Sequence, residues 1–194
     1  SIGDRAFYGC TALTDVYYLG TKAQWSAMSI GAVNDHLTNA TIHFADVSII
    51  ASGSCGENLT WTLDESGLLT ITGTGTMTDY EVGTAPWLEH RDKIKTVVIK
   101  SAVTSIGKFA FDGCTVLTSV TIPDSVTSIG NYALNASSLT SIEVAVGNEH
   151  YSSLDGVLFN KDATELVRFP AGRAGAYTIP DGVASIGNGA FADC

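Results

Sequence analysis

Residues 105–114 read SIGKFAFDGC, and the phrase recurs three times: SIGDRAFYGC at 1–10, SIGNYALNAS at 128–137 and SIGNGAFADC at 185–194. A phrase that recurs with its apolar positions kept marks a repeat architecture. Aligned on the first isoleucine, the copies start at Ile2, Ile106, Ile129 and Ile186. Ile106 to Ile129 is 23 residues (129 − 106), while Ile129 to Ile186 is 57 (186 − 129), so an insertion lies between the last two. Seven residues before three of these positions stand Ile99, Ile122 and Ile179, joined to them by IKSAVTSI, IPDSVTSI and IPDGVASI. Pro-Asp-Ser and Pro-Asp-Gly are turn sequences, because Pro presets φ and Asp bonds its own backbone.

The segment before each turn alternates. In LTSVTIP, Leu117, Val120 and Ile122 face inward around a short strand, and Leu139, Ile142 and Val144 repeat this in LTSIEV. After the turn, GKFAFDGC packs Phe109 or Ala110 together with Phe111 and is too short for an independent helix. Each unit is thus expected to run strand, turn, short helical or 3-10 arc, and return. No unit buries its apolar edge alone, so stacked neighbours share one core, with Ile106, Ile129 and Ile186 all pointing into it.

The pattern V-T-S-I-G-x-x-A-F-x-G-C-x-x-L-T-S-V-T-I-P, matched best by Val103–Pro123, resembles the BspA-type leucine-rich repeats of bacterial surface proteins. Residues 96–194 resemble these repeats outright, and residues 1–19 resemble the end of another array. One copy departs: SIGNYALNASSLTSI has Leu134 for Phe, lacks the Gly-Cys pair and is one residue shorter, so its packing must differ. The resemblance implies a leucine-rich-repeat solenoid, a right-handed β-α superhelix that is mainly β, with β-hairpin caps. It also implies an exported, surface-attached protein that adheres to extracellular ligands.

Four segments follow. Residues 1–44 read as the end of an array with a C-terminal cap, in which Thr21 is an N-cap candidate for a helix from Lys22 to Met28, Ala40–Phe44 is a strand, and Trp25 and Phe44 cover the last repeat. Residues 45–53 are a joint, with VSII a strand candidate. Residues 54–95 form a β-hairpin capping module: Leu59, Trp61 and Leu63 alternate, DESG turns, and Leu69 and Ile71 return. Residues 96–194 are the second array. Its insertion, at about 145–175, is expected to project as a hairpin, with Val157, Leu158 and Phe159 facing Leu166, Val167 and Phe169.

The formal net charge is -10 and the 10 Lys and Arg are scattered, which excludes a phosphate-binding footprint and argues against nucleic acid. No apolar run has bilayer length, so membrane insertion is not expected. The chain starts and stops inside a repeat, and the expectation is of a window cut from a longer protein. Cys10, Cys114 and Cys194 share one repeat position and read as buried thiols, with disulfides as the alternative. Cys55 lies outside the pattern. His36, His43, His90 and His150 follow no metal-ligand spacing, and Asp124, Asp155, Asp162 and Asp181 sit in turn sequences. Gly73-Thr-Gly75 lacks the Lys and helix of a phosphate loop, and no G-x-S-x-G elbow is present. No catalytic, cofactor or metal residues are assigned.

The expected function is a non-enzymatic surface-binding module that recognises an extracellular protein or polysaccharide. Its candidate ligand face is the polar strand set Thr118, Ser119, Thr121, Thr140, Ser141 and Glu143, with the inserted hairpin. Two alternatives stand beside it. One is a structural spacer or scaffold that stacks head to tail on itself. The other is an accessory carbohydrate- or peptide-binding domain of a surface hydrolase, with Tyr17, Tyr18 and Trp87 as aromatic platforms.

Overall fold

The repeat phrase folds as a run of tight turns and not as a helical arc. The N–H groups of Ala110, Asp112 and Cys114 each reach back three residues, to Gly107, Phe109 and Phe111 carbonyls at 3.2 Å. The alternate donors leave the coil: Phe109, Phe111 and Gly113 bond Asn131, Ala133 and Asn135 carbonyls of the next coil at 3.1, 2.9 and 3.3 Å. A helix is ruled out at the fifth position of the phrase. Arg5, Phe109, Tyr132 and Gly189 have φ of 59°, 55°, 56° and 66°. One left-handed residue breaks helical propagation and turns every second N–H toward the neighbouring coil. Only the last copy meets this position with the residue type that takes it without strain.

In two of the four copies the phrase glycine has a separate cause. A Cβ on Gly107 would stand 1.9 Å from Thr78 O, and one on Gly130 would stand 2.4 Å from Lys108 N. The backbone of the preceding coil passes too close for any side chain there.

The computed structural model describes every residue except Leu19, Thr21 and 45–47, together with the side chain of Ala23. The candidate cap Thr21 therefore lies outside the described residues. The chain forms two compact units, Ser1–Ser48 and Ile49–Cys194.

In the first unit, β1 (Asp15–Tyr18) and β2 (Thr41–Phe44) are parallel, separated by α1 (Lys22–Ser26) and α2 (Asp35–Thr38). Trp25 meets Tyr18 and Phe44 edge-on, at 5.2 and 6.2 Å between ring centres. Buried Asn34 staples the first phrase to this unit: its amide donates to Gly3 and Gly31 carbonyls, and its oxygen accepts Phe7 N–H.

The second unit begins with β3 (Ile49–Gly56), so the joint expected at 45–53 is strand from Ile49 onward. Then come β4 (Leu59–Asp64), β5 (Leu68–Gly73), β6 (Gly75–Thr76), β7 (Thr96–Ile99), β8 (Val103–Ile106), β9 (Ser119–Ile122), β10 (Ser128–Ile129), β11 (Ser141–Val144), β12 (Tyr151–Leu154), β13 (Val157–Asn160), β14 (Glu165–Arg168) and β15 (Ser185–Ile186). One sheet runs β11-β9-β7-β5-β4-β3. Its β3-β4-β5 part is antiparallel, and β5, β7, β9 and β11 are parallel, so the cap hairpin is the first rung of the repeat sheet. A second ladder runs β10-β8-β6, in which Thr76 pairs with Ser105. Thr76-Met77-Thr78-Asp79 is therefore a coil whose likeness to the phrase is too faint to see in the letters. Trp87 locks cap to repeats: it is buried, stacks on Phe111 at 5.4 Å, meets Trp61 edge-on at 5.9 Å, and its Nε1 donates to Ala110 O at 2.8 Å.

The insertion does not project. It is a three-stranded segment, β12-β13-β14, built into the stack, and β14 pairs in parallel with β15. β13 is buried on both faces: Leu158 joins the main core, while Val157 and Phe159 join a second core with Leu166, Phe169 and Ala190. The single core expected along the stack is thus divided. Ile106 is buried and Ile129 packs partly into the main core, but Ile186 is 47% exposed. β13 walls off the coils on either side, with Leu158 turned to the main core and Val157 and Phe159 to the second.

Candidate functional site

The strand face expected to carry ligand is formed by the outward positions of β9 and β11, and the register places them in columns. Ser141 pairs with Ser119, which pairs with Thr96, and Glu143 pairs with Thr121, which pairs with Val98. Inward Val120, Ile122 and Ile142 are buried, which anchors the strands and aims the alternate residues outward. All six candidate residues therefore lie together on two adjacent strands and the positions just before them.

Their chemistry divides them. Thr118 and Thr140 are not free donors. The Thr118 hydroxyl donates to Lys95 O and the Thr140 hydroxyl to Thr118 O, both at 3.1 Å. The same tie recurs elsewhere: Thr127 to Thr104 O at 3.2 Å, Ser138 to Thr115 O at 2.6 Å and Ser125 to Val103 O at 2.7 Å. Each runs from one coil to the coil before it. Much of the Ser and Thr content therefore fastens coils instead of facing solvent freely.

Ser119, Thr121, Ser141 and Glu143 remain as the face proper. The Ser119 hydroxyl is 3.4 Å from Thr96 Oγ1, and the Ser141 hydroxyl donates to Glu143 Oε1 at 2.5 Å. Thr121 and Glu143 are exposed. The insertion borders this face: Ile142 N–H donates to Gly156 O at 2.9 Å and Val144 N–H to Ser153 Oγ at 3.0 Å, closing the outer edge of β11. The face also extends further than expected. Thr62, Thr70 and Val98 continue the Glu143 column across β4, β5 and β7. The alternation of LTWTLD and LLTITG signalled outward threonines, but the docking of β5 on β7 was not legible.

The other candidates disperse. Of the aromatic platforms, Trp87 is core, Tyr18 packs on Trp25, and Tyr17 alone is open, 76% exposed. Tyr17 stacks on His43 at 4.6 Å, and His43 bonds Asp15 at 2.7 Å, which holds the Asp15 carboxyl below its ordinary value. Among the described residues no three His, Cys, Asp or Glu side chains converge as a metal group.

All four cysteines are free. Their shared repeat position does not bury three of them alike: Cys114 is buried, Cys10 is half-buried and Cys194 is exposed. Burial, then Asp112, pushes the Cys114 thiol up to about 12, partly offset by Arg91, and burial pushes Cys55 up to about 11. Both are poor nucleophiles at neutral pH.

Residues 88–172 match the family model of the BspA type leucine-rich repeat region, in 6 copies. No curated protein matches the chain. Among solved structures it is similar to a leucine-rich repeat protein from Eubacterium ventriosum ATCC 27560, with 26% identity and TM-score 0.34, over 74% of this chain and 57% of that one. It is similar to the pneumococcal vaccine antigen PcpA at 16% identity and TM-score 0.39, over 74% of this chain and 62% of that one. A leucine-rich cell surface protein from Faecalibacterium prausnitzii A2-165 gives 16% identity and TM-score 0.38, over 73% of each chain. The chain spans less than two thirds of the length of the first two.

Proposed function

We propose that this chain, whose residues 88–172 belong to the BspA-type leucine-rich repeats, is a non-enzymatic binding module of an exported surface protein. Its ligand is an extracellular protein or polysaccharide, met by the outward face of β9 and β11. The observation that carries this reading is the alignment of Ser119, Ser141, Thr121 and Glu143 in two columns on a rigid parallel sheet. Side chains spaced at the strand interval on a fixed backbone form a preorganised polar surface, and little entropy is lost when a partner settles on it.

The test is a binding screen of the whole chain against immobilised matrix proteins and surface polysaccharides, followed by the variant Thr121→Arg/Glu143→Arg. Both positions are exposed, so the fold is retained. A bound partner should be weakened by at least about tenfold, the loss expected from an unmatched charge placed in an interface. Binding that is indifferent to both changes refutes the face. Thr140→Ala serves as a contrast: its hydroxyl is committed to Thr118 O, so it should affect stability more than binding.

A further inference from the structure

Side chains at the fifth position of the phrase stack from one coil to the next. Phe109 and Tyr132 lie face to face, at 5.4 Å between ring centres and 4° between planes. Lys108 Nζ sits 5.0 Å over the Phe109 ring. Both residues take the same left-handed backbone, with φ of 55° and 56°, so the main chain gives the two rings one orientation. The last coil carries Gly189 at this position. A Cβ on Gly189 would stand 3.6 Å from Tyr132 Cε1, so the place of a third side chain is beside the Tyr132 ring and holds none. The stack ends on Tyr132, which is 45% exposed.

A cleft of about 280 Å³ opens at this end of the stack, lined by Asn131, Tyr132, Glu165, Val167, Arg168 and Asn188 among others. We propose that it binds one pyranose ring of a neutral sugar, the apolar C–H face of the sugar lying on Tyr132 and its hydroxyls meeting the polar rim. The Tyr132 ring is braced by Phe109, so an apolar face is offered in a fixed orientation and little entropy is lost on stacking. The rim is uncommitted and of both kinds. Among the described residues, the side chains of Asn131, Asn188 and Glu165 have no hydrogen-bond partner. Tyr132 N–H also lacks the acceptor that its counterpart, Phe109 N–H, finds in Asn131 O at 3.1 Å. The amides donate and accept, the carboxylate accepts and the N–H donates, and a hydroxyl answers every one of these. The charges oppose each other. Glu165 and Arg168 stand on one strand, β14, and the Arg168 terminal nitrogens are held by Gly189 O at 2.7 Å, Ala192 O at 3.1 Å and Asn135 Oδ1 at 2.9 Å. Neither an anion nor a cation meets a field of one sign, and a neutral ligand needs none. The volume lies at the low end of small-molecule clefts and suits a single ring. This cleft is separate from the β9–β11 face, so sugar binding here is independent of any ligand on that face.

The experiment titrates the whole chain with methyl β-D-galactopyranoside and methyl β-D-glucopyranoside and follows it by NMR. At least one of them should shift the Tyr132 ring protons, the Tyr132 amide and the Asn131 and Asn188 side-chain amides saturably, and magnetisation should pass from the Tyr132 ring to the sugar C–H protons. No shift from either sugar at tens of millimolar, or shifts confined to β9 and β11, would overturn the proposal. Tyr132→Gly removes the platform, and the fold already accepts Gly at this position in the last coil. Binding should fall by at least about tenfold, as on loss of an aromatic anchor, with the rest of the spectrum unchanged. Unaltered affinity in that variant counts against the cleft. Tyr132→Phe keeps the ring and should bind within about fivefold of the parent, the worth of one hydrogen bond. Loss of binding there as complete as in Tyr132→Gly would mean that the hydroxyl and not the ring face holds the ligand, which refutes the stacking. Phenol and inorganic sulfate test the ligand class. Each should bind at least about tenfold more weakly than the better sugar, because phenol leaves the polar rim unmet and sulfate faces Glu165. Equal or tighter binding of either one overturns the sugar assignment.

Discussion

Asn148 is fully buried and uses every hydrogen-bonding site it has. Its amide donates to Pro123 O at 2.8 Å and Val126 O at 2.9 Å, and its oxygen accepts His150 and Tyr151 N–H, both at 2.8 Å. It ties the turn of one coil to the first strand of the insertion. Asn148→Ala removes four bonds. At about 1 kcal/mol each, less what water recovers, the loss is about 3 kcal/mol. Asn148→Asp is nearly isosteric but sets a carboxylate against two carbonyl oxygens. The buried carboxyl would have its folded pKa raised above the unfolded value of about 3.9. The sign follows. The neutral acid is favoured by the fold, so the Asp variant is closest to the parent below that unfolded value. Above it, the gap widens by about 1.4 kcal/mol per pH unit until the raised folded value is reached. Urea unfolding of the parent and both variants from pH 3.5 to 7, followed by the fluorescence of Trp61 and Trp87, measures this. A flat difference between the Asp variant and the parent across that range would show that the Asn148 bonds do not hold in solution, and the reasoning would fail.

Other outcomes follow from the same contacts. Gly130→Ala should cost at least about 3 kcal/mol, because the backbone of the preceding coil cannot give way. Gly113→Ala, with φ of 74° and open space, should cost only about 1 kcal/mol; equal costs by denaturant melts would refute the close-approach argument. In thiol labelling at pH 7.5, Cys194 should react first, and Cys55 and Cys114 only on unfolding, with rapid reaction of Cys114 in the native protein as the contrary result. Trp87→Ala should lower stability by about 3–5 kcal/mol through the lost core contacts; a smaller loss means the cap is not docked on the first repeat. The Asp15 carboxyl should titrate below its ordinary value of 3.8 and move back toward it in His43→Ala, as read by carbon NMR. The stabilising share of that pair is present above the ordinary value and is lost as pH falls through the lowered one. An unchanged titration would dismiss the pair.

The amino-acid sequence by itself determined the repeat, its 23-residue step, the turns at Pro-Asp, and the inward set Leu117, Val120, Ile122, Leu139 and Ile142. These follow from period-two alternation and turn chemistry, which are local and survive as a spaced pattern in the chain. It also placed the outward strand positions that form the candidate face. Only the tertiary structure decided that the phrase is a run of turns with a left-handed fifth residue, since Arg, Phe and Tyr carry no sign of positive φ. The coil at Met77, the wall formed by β13 and the exposure of Ile186 were equally hidden. So was the commitment of Thr118 and Thr140 to backbone carbonyls. The coil at Met77 and the committed hydroxyls rest on contacts with another coil 22 or more residues away, and the wall rests on the pairing of β13 with β12 and β14. Local pattern cannot say which neighbour a hydroxyl, a strand edge or an N–H will meet there.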